Sequence, residues 1–277
     1  MRLCLGLCFV LVLWERSRMN KLKGLNTEEQ DSMFPHNVIL AGYRGSIAHG
    51  MYVPNSDPNS IDDKDLMGVT IAPLDTYFGL KHFEQKETTI REWDTVTYEF
   101  VKFVRLLSKA NPNVLSMLWL EKQHYIHITT LGQRLIDNRD LFVSKSIYQS
   151  YTGYAHGQLK RMTAYNKKGY MGAKRKKIVE KFGYDTKNAA HLIRLLRLGT
   201  EFLLTGELEV FRHDAKQLLE IKLGEWTLER VHKEAEHQFK RAEAAYDKST
   251  LPVKADFEKI NNLCVGILCE HFMERGL

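Results

Sequence analysis

Two acids two residues apart, Asp63 and Asp65, stand at the entry of an apolar run, Leu66 to Ile71. If that run is a strand, side chains two positions apart leave the same face of a sheet. Two carboxylates about 4 Å apart repel by about 4 kcal/mol at an effective dielectric near 20, so the pair calls for a divalent cation or a shared proton. Ligation by oxygen alone suits Mg²⁺ or Mn²⁺. A calcium loop of the EF-hand kind fits less well, because no glutamate lies at the later position where it needs a bidentate ligand. Read as local structure only, Asp57, Asp62, Asp63 and Asp65 are a solvated loop, with Asn55, Pro58 and Asn59 as turn formers.

Upstream, Gly45-Ser46 follows an apolar strand and precedes a helix start. A glycine there lets backbone N–H groups meet an anion without side-chain obstruction, and the Ser46 hydroxyl can add a donor. An anion cradle, a spacer and a strand with paired carboxylates together suit metal-dependent nucleotidyl transfer. One element grips a triphosphate, and the other holds ions that bridge its oxygens and activate an attacking hydroxyl.

The pattern Gly45-Ser46-x-x-x-Gly50, then Asp63-x-Asp65-x-x-Gly68, resembles the signature of the DNA polymerase β superfamily of nucleotidyltransferases. Further runs resemble its branch of predicted nucleotidyltransferases that includes the RNA repair pathway polymerase β family proteins. Among them are Ala110-Asn111-Pro112-Asn113-Val114-Leu115, Gly153-Tyr154-Ala155-His156-Gly157 and Gly224-Glu225-Trp226. The likeness covers about residues 36 to 277 and nothing before Met19. It implies an α+β fold, with a small mixed-sheet nucleotidyltransferase core followed by a helical C-terminal domain. It also implies that Asp63 and Asp65 bind metal, with a third acid from a neighbouring strand that orients or accepts the acceptor hydroxyl's proton. Glu99 is the first candidate for that acid and Asp94, on the opposite side of the same strand, the second. As local structure, Glu99 caps the helix that begins after it. Many relatives carry a basic residue directly after the Gly-Ser pair. Here Ile47 follows and Arg44 precedes. Arg44, Gly45 and Ser46, with Lys187, His191 and Arg194, make up the expected nucleotide-binding set.

The elements that must position these groups change character along the chain. From His36 to about Phe100, β-rich runs at Asn37 to Ala41, Leu66 to Ile71 and Thr88 to Glu99 are separated by Gly, Pro and Asn. Beyond that, helical spacing prevails over His127 to Asp137, Ser150 to Tyr165, Thr186 to Leu204, Asp214 to Leu223 and Thr227 to Tyr246. The expected division is an extension over 1–35, a core over 36–125 and a helical domain over 126–277. Lys187, His191, Arg194 and Leu198 share one stripe of the helix from Thr186, beside an apolar stripe of Leu192, Leu195, Leu196 and Leu203. That polar stripe suits triphosphate or simply a solvated face.

A basic cluster from Lys167 to Lys177, with Lys174, Arg175, Lys176 and Lys177 at its end, could neutralise phosphates of an RNA or DNA acceptor. A solubilising loop would carry the same residues. The net charge of +6 and pI near 9.0 over 277 residues agree with an anionic partner without requiring one. The echo of Ala48-His49-Gly50 at Ala155-His156-Gly157 reads as coincidence.

Cys4, Cys8, Cys264 and Cys269 form no CxxC pair, which points to a reducing, cytoplasmic setting without structural zinc. The apolar run Leu3 to Trp14 is too short to span a bilayer roughly 30 Å thick. It reads as an upstream extension ahead of a start at Met19, with a signal or anchor and a docked helix as alternatives, and no membrane partner is expected. The competing class of function is a non-catalytic nucleotide or RNA binder, against which the mutually repelling acids argue.

Overall fold

A computed structural model describes residues 22, 24–57, 60, 62–163 and 173–276, the side chains of residues 163, 173 and 174 excepted. The apolar N-terminal run, Met19, Lys167, Lys168 and the Lys174 side chain lie outside the described residues. No helix of the described residues is long and apolar enough to cross a membrane.

Among the described residues five strands, β1 (Val38–Tyr43), β2 (Lys64–Thr70), β3 (Gln85–Ile90), β4 (Trp93–Glu99) and β5 (Tyr125–Ile128), form one sheet in the order β3-β4-β2-β1-β5. The β2–β4 pair is parallel and the other neighbouring pairs are antiparallel, giving the mixed sheet of an α+β fold. The expected single run from Thr88 to Glu99 is instead a hairpin. The chain turns at Arg91, whose φ of 55° lies in the left-handed region, so β3 folds back on β4.

Helices α1 (Thr27–Met33), α2 (Gly45–Ala48), α3 (Leu74–Phe78), α4 (Phe100–Ser108), α5 (Pro112–Leu115) and α6 (Thr130–Asp137) surround the sheet or follow its strands. The helical half adds α7 (Ser146–Thr163), α8 (Ala173–Phe182), α9 (Thr186–Thr205), α10 (Ala215–Lys222), α11 (Leu228–Lys248) and α12 (Phe257–Met273).

Alternation along β2 divides the core. Leu66 joins Ala41, Trp93 and Ile126 on the face under α1, whereas Met67 and Val69 join Val96 on the other. This second cluster continues without a break through Phe100 and Phe103 to Leu192, Ile193, Leu218 and Ile267. Each such buried side chain contributes about 1.5–3 kcal/mol, so the sheet and the helices stabilise one another through a shared core. The expected boundary at 125/126 is therefore displaced: β5 straddles it and pairs with β1.

Asp63, Asp65 and Asp94 have the parity of Met67 and Val96, so they open on the face that the helical half covers. The helix that meets them there, α9, starts at the buried Asp185, whose side chain accepts from the Asn188 N–H, and ends at Gly206 with φ 76°. Between them its Leu192, Leu195, Leu196 and Leu203 are buried, which fixes the direction of the polar stripe.

Candidate functional site

A cavity of about 340 Å³ lies between the start of α2 and the first turns of α9. Arg44, Gly45, Ser46, Asp65, Lys187, His191 and Arg194 all line it, together with Arg175 and Lys222. The six residues expected to bind nucleotide thus share one chamber with one of the expected metal-binding acids.

Gly45 occupies the one place in this turn where the backbone demands glycine. Its φ is 61°, and a Cβ there would drive into the Asp65 carboxylate. The first N–H groups of α2 have no intrahelical acceptor and lie beside the cavity. Ser46 departs from expectation. Its hydroxyl donates to Asp62 Oδ1 at 2.9 Å and accepts from Lys222 Nζ at 3.0 Å, so its one proton is already committed within the protein.

The acids are arranged by sheet register. Asp65 is the register partner of Asp94 across the parallel pair, and Asp63 lies two residues before Asp65. Burial raises the Asp65 pKa, and the charges of Asp94 and Asp63 push it the same way, against the opposing pull of Arg44 and Lys187. The Arg44 guanidinium stands 3.7 Å from Asp65.

Hard oxygen donors that repel one another on one face are the donor set for Mg²⁺ or Mn²⁺, and in kind these three acids fit it. They are not drawn around a point, and among the described residues no group of three or more His, Cys, Asp or Glu side chains is gathered closely enough to hold an ion.

Glu99 is not part of this group. It is the register partner of Thr70, at the far end of β4 from Asp94, and it is buried. Its carboxylate accepts from the N–H groups of Val101 and Lys102 at the start of α4 and from the Tyr77 hydroxyl. A side chain that satisfies a helix start in this way is a cap, and the acid beside Asp65 is Asp94.

The cationic wall is unevenly compensated. Arg212, nearby in the helical half, is enclosed by Glu201 and Asp214. Arg194 has no such partner among the described residues, and its Nε is buried without an acceptor. Burial lowers its pKa to about 10, with Arg212 adding repulsion. His191 is held well below the usual histidine range by burial, then by Arg194, Arg175, Lys187 and Arg161, and is neutral. A half-buried guanidinium without a carboxylate partner is costly unless an anion completes it.

Three contributors were not singled out in the sequence. Asp62, read there as loop, is buried and accepts from Ser46 and Val53, and it pairs with the buried Lys222. His49, from the discounted Ala-His-Gly echo, lines the cavity with its Nδ1 2.8 Å from the Val210 carbonyl, whereas His156 stacks on Phe239. Lys222 carried a weak signal in its closeness to Gly224-Glu225-Trp226. Of the basic cluster, Arg175 lines the cavity 3.8 Å from Asp185, and Lys176 and Lys177 are exposed on α8.

The sequence profile of the RNA repair pathway DNA polymerase beta family matches residues 16–266, so its match begins slightly ahead of Met19. No curated protein matches the chain. Among solved structures, a nucleotidyltransferase-like protein from Exiguobacterium sibiricum 255-15 is similar at 11% identity and a TM-score of 0.26, over 77% of this chain and 70% of that one.

Proposed function

Since the chain belongs to the RNA repair pathway DNA polymerase beta family, we propose that it is a metal-dependent nucleotidyltransferase that moves a nucleoside monophosphate from an NTP or dNTP to an acceptor hydroxyl. The observation that carries this reading is the shared cavity: five cationic side chains, Arg44, Arg175, Lys187, Arg194 and Lys222, and one carboxylate, Asp65, line it. Although Lys222 and Lys187 also meet Asp62 and Arg175 meets Asp185, Arg194 has no carboxylate partner among the described residues. That imbalance suits a triphosphate.

Arg194 and Lys187 meet the phosphates from α9, and Arg44 meets them from the end of β1. The backbone of Gly45 and Ser46 approaches them closely because no Cβ intervenes. Asp63, Asp65 and Asp94 would hold Mg²⁺ or Mn²⁺, which supplies charge neutralisation on the phosphate oxygens and on the entering hydroxyl. The acceptor oxygen forms its bond to the α-phosphorus as the bond to the pyrophosphate oxygen breaks. Asp94 would take or orient the hydroxyl proton, and pyrophosphate leaves with the charge of the broken bond.

An RNA end is the favoured acceptor, because Lys176 and Lys177 carry the positive surface of α8 outward from Arg175 at the cavity. The free thiols of Cys264 and Cys269 accord with a cytoplasmic setting.

The test is incubation with each α-labelled NTP or dNTP and Mg²⁺ or Mn²⁺, with separate pools of RNA, DNA, protein and metabolites. Label should enter one pool with the wild type and none with Asp63→Ala plus Asp65→Ala. Absence of label with the wild type, or equal entry with the double variant, would refute the reading. RNA binding unchanged by EDTA and by Asp63→Ala would favour a non-catalytic binder instead.

A further inference from the structure

A second cavity, of about 550 Å³, lies between the end of α4, the first turns of α7 and the start of α12. Two ammonium groups, Lys109 and Lys254, line it and no carboxylate does. Both lysines are exposed, and neither has a carboxylate partner among the described residues. Asp256, the acid next to this rim in the chain, is spent on its own helix: it accepts from the Lys259 N–H at 3.2 Å and pairs with the Lys259 ammonium at 3.3 Å. Phe257 opens α12 on the same rim with its ring 69% exposed. Free cations beside an exposed aromatic ring are the means by which proteins hold single-stranded nucleic acid, neutralising phosphates and stacking on bases.

The neutral groups of the cavity divide into donors and acceptors. Gln149 and Ser150 on α7 have no side-chain partner among the described residues, so both can donate to a phosphate. The Ser108 and Ser146 hydroxyls give their protons to the carbonyls of Arg105, at 2.9 Å, and Val253, at 3.4 Å, and keep only lone pairs for a ligand. Within a sugar-phosphate backbone the one donor that can meet those lone pairs is the ribose 2′-hydroxyl, which RNA has and DNA lacks.

One stretch of chain joins this cavity to the cationic one. Lys109 borders the first, Pro112, Asn113 and Ser116 line the second, and the chain turns between them at Ala110, with φ 50°. Midway, the Asn111 amide donates to the Tyr154 hydroxyl at 3.0 Å, and Tyr154 follows Ser150 by about one turn of α7. The Lys109 and Asn113 backbones are therefore at most about 14 Å apart, the rise of about four stacked nucleotides.

We propose that this second cavity holds the body of a single-stranded RNA acceptor, a few nucleotides back from the end presented to the cationic cavity. Lys109 and Lys254 meet its phosphates and Phe257 stacks on a base. The inference rests on the cationic cavity being the transfer site.

The experiment measures binding of single-stranded RNA of about three and about twelve nucleotides, the longer one alone being able to span both cavities. Fluorescence anisotropy compares wild type, Lys109→Ala plus Lys254→Ala, Phe257→Ala, and a control pair, Lys86→Ala plus Lys240→Ala, that removes the same charge from exposed positions elsewhere. Wild type should bind the longer RNA more tightly. The Lys109 and Lys254 double variant should weaken that binding about tenfold and make the slope of log affinity against log salt shallower by about 1.4. Phe257→Ala should weaken it about tenfold with the slope unchanged. The short RNA and inorganic tripolyphosphate should bind all four proteins within about twofold, because neither reaches the second cavity.

Longer RNA bound equally by wild type and by both groove variants would overturn the proposal, as would equal weakening in the control pair, which would reduce the effect to net charge. DNA of the same length and sequence that binds as tightly and loses as much would overturn the assignment to RNA. Displacement of the longer RNA by polyglutamate from wild type, at concentrations that leave the groove variants unaffected, would assign the cavity to an acidic protein segment instead. If wild type fails to bind tripolyphosphate, the transfer-site reading falls, and the length dependence of RNA binding in the groove variants decides the second cavity on its own.

Discussion

Asp65 and Asp94 are register partners across the parallel β2–β4 pair, while Glu99 lies opposite Thr70 at the other end of the same strand. Conservative substitutions should separate the two roles. Asp94→Asn should reduce nucleotidyl transfer by roughly 100-fold or more with little change in melting temperature, because it removes a carboxylate from a repelling group. Glu99→Gln should instead cost about 1 kcal/mol of stability through the weakened α4 cap and leave transfer near wild type. Transfer assays alongside thermal denaturation check both. Loss of transfer in a stable Glu99→Gln protein would return Glu99 to the candidate metal set.

Arg194 is expected to trade stability for binding. Its guanidinium has no carboxylate partner among the described residues, its Nε is buried without an acceptor, and burial already lowers its pKa to about 10. Arg194→Met removes a half-buried charge that no carboxylate among the described residues offsets, so chemical denaturation should show equal or greater stability. Nucleotide affinity should fall by roughly 10- to 100-fold, the usual penalty for losing a charge-assisted contact. A marked loss of stability with affinity intact would show that Arg194 is completed by the protein.

Gly45 is the most constrained backbone position at the site. Gly45→Ala would place a Cβ at φ 61° against the Asp65 carboxylate. The left-handed conformation alone costs about 1 kcal/mol, and the clash must displace Asp65 from its place beside Asp94. Transfer should therefore fall by more than the loss of stability explains. Gly183→Ala supplies the control, since its φ of 77° carries the same backbone penalty with nothing near its Cβ. Equal effects from both variants would assign the Gly45 result to backbone strain alone.

Acid should destabilise the protein through His49 and His191. Both are held well below the usual histidine range, His49 by burial and then by Arg194, with His191 and Arg212 adding to it. With the folded pKa depressed, the unfolded chain takes up protons first, so stability is fully present above about pH 6.5 and declines below it. The decline approaches about 1.4 kcal/mol per pH unit for each histidine. Denaturation midpoints measured from pH 8 to 5 should fall, and His49→Gln should flatten the curve. An unchanged slope in that variant would clear His49 of the effect.

Much of the site could be read from residue spacing, because short-range geometry determines it. Period-two alternation puts Asp63 and Asp65 on one face, and period 3.6 aligns Lys187, His191 and Arg194, and the cavity brings Asp65 together with those three. Choosing between Asp94 and Glu99 required register, which follows from how β4 lies against β2 and cannot be counted along one strand. The β3–β4 hairpin was hidden because Arg91-Glu92 is not a customary turn pair. Asp62 and Lys222 were illegible for a simpler reason. They are 160 residues apart in sequence, and nothing local to either marks it as buried.

The exposed lysines of α8 allow a test of the acceptor that leaves the cavity intact. Lys176 and Lys177 are exposed, whereas Arg175 beside them lines the cavity. Lys176→Ala plus Lys177→Ala should weaken binding of single-stranded RNA while leaving tripolyphosphate affinity unchanged. If both lysines meet backbone phosphates, the slope of log affinity against log salt should become shallower by about 1.4, or about 0.7 for each contact to a single strand. The weakening should be similar across RNA sequences, because such contacts carry no base information. A salt slope equal to that of the wild type would remove this surface from the acceptor site and leave a small-molecule or protein hydroxyl as the acceptor.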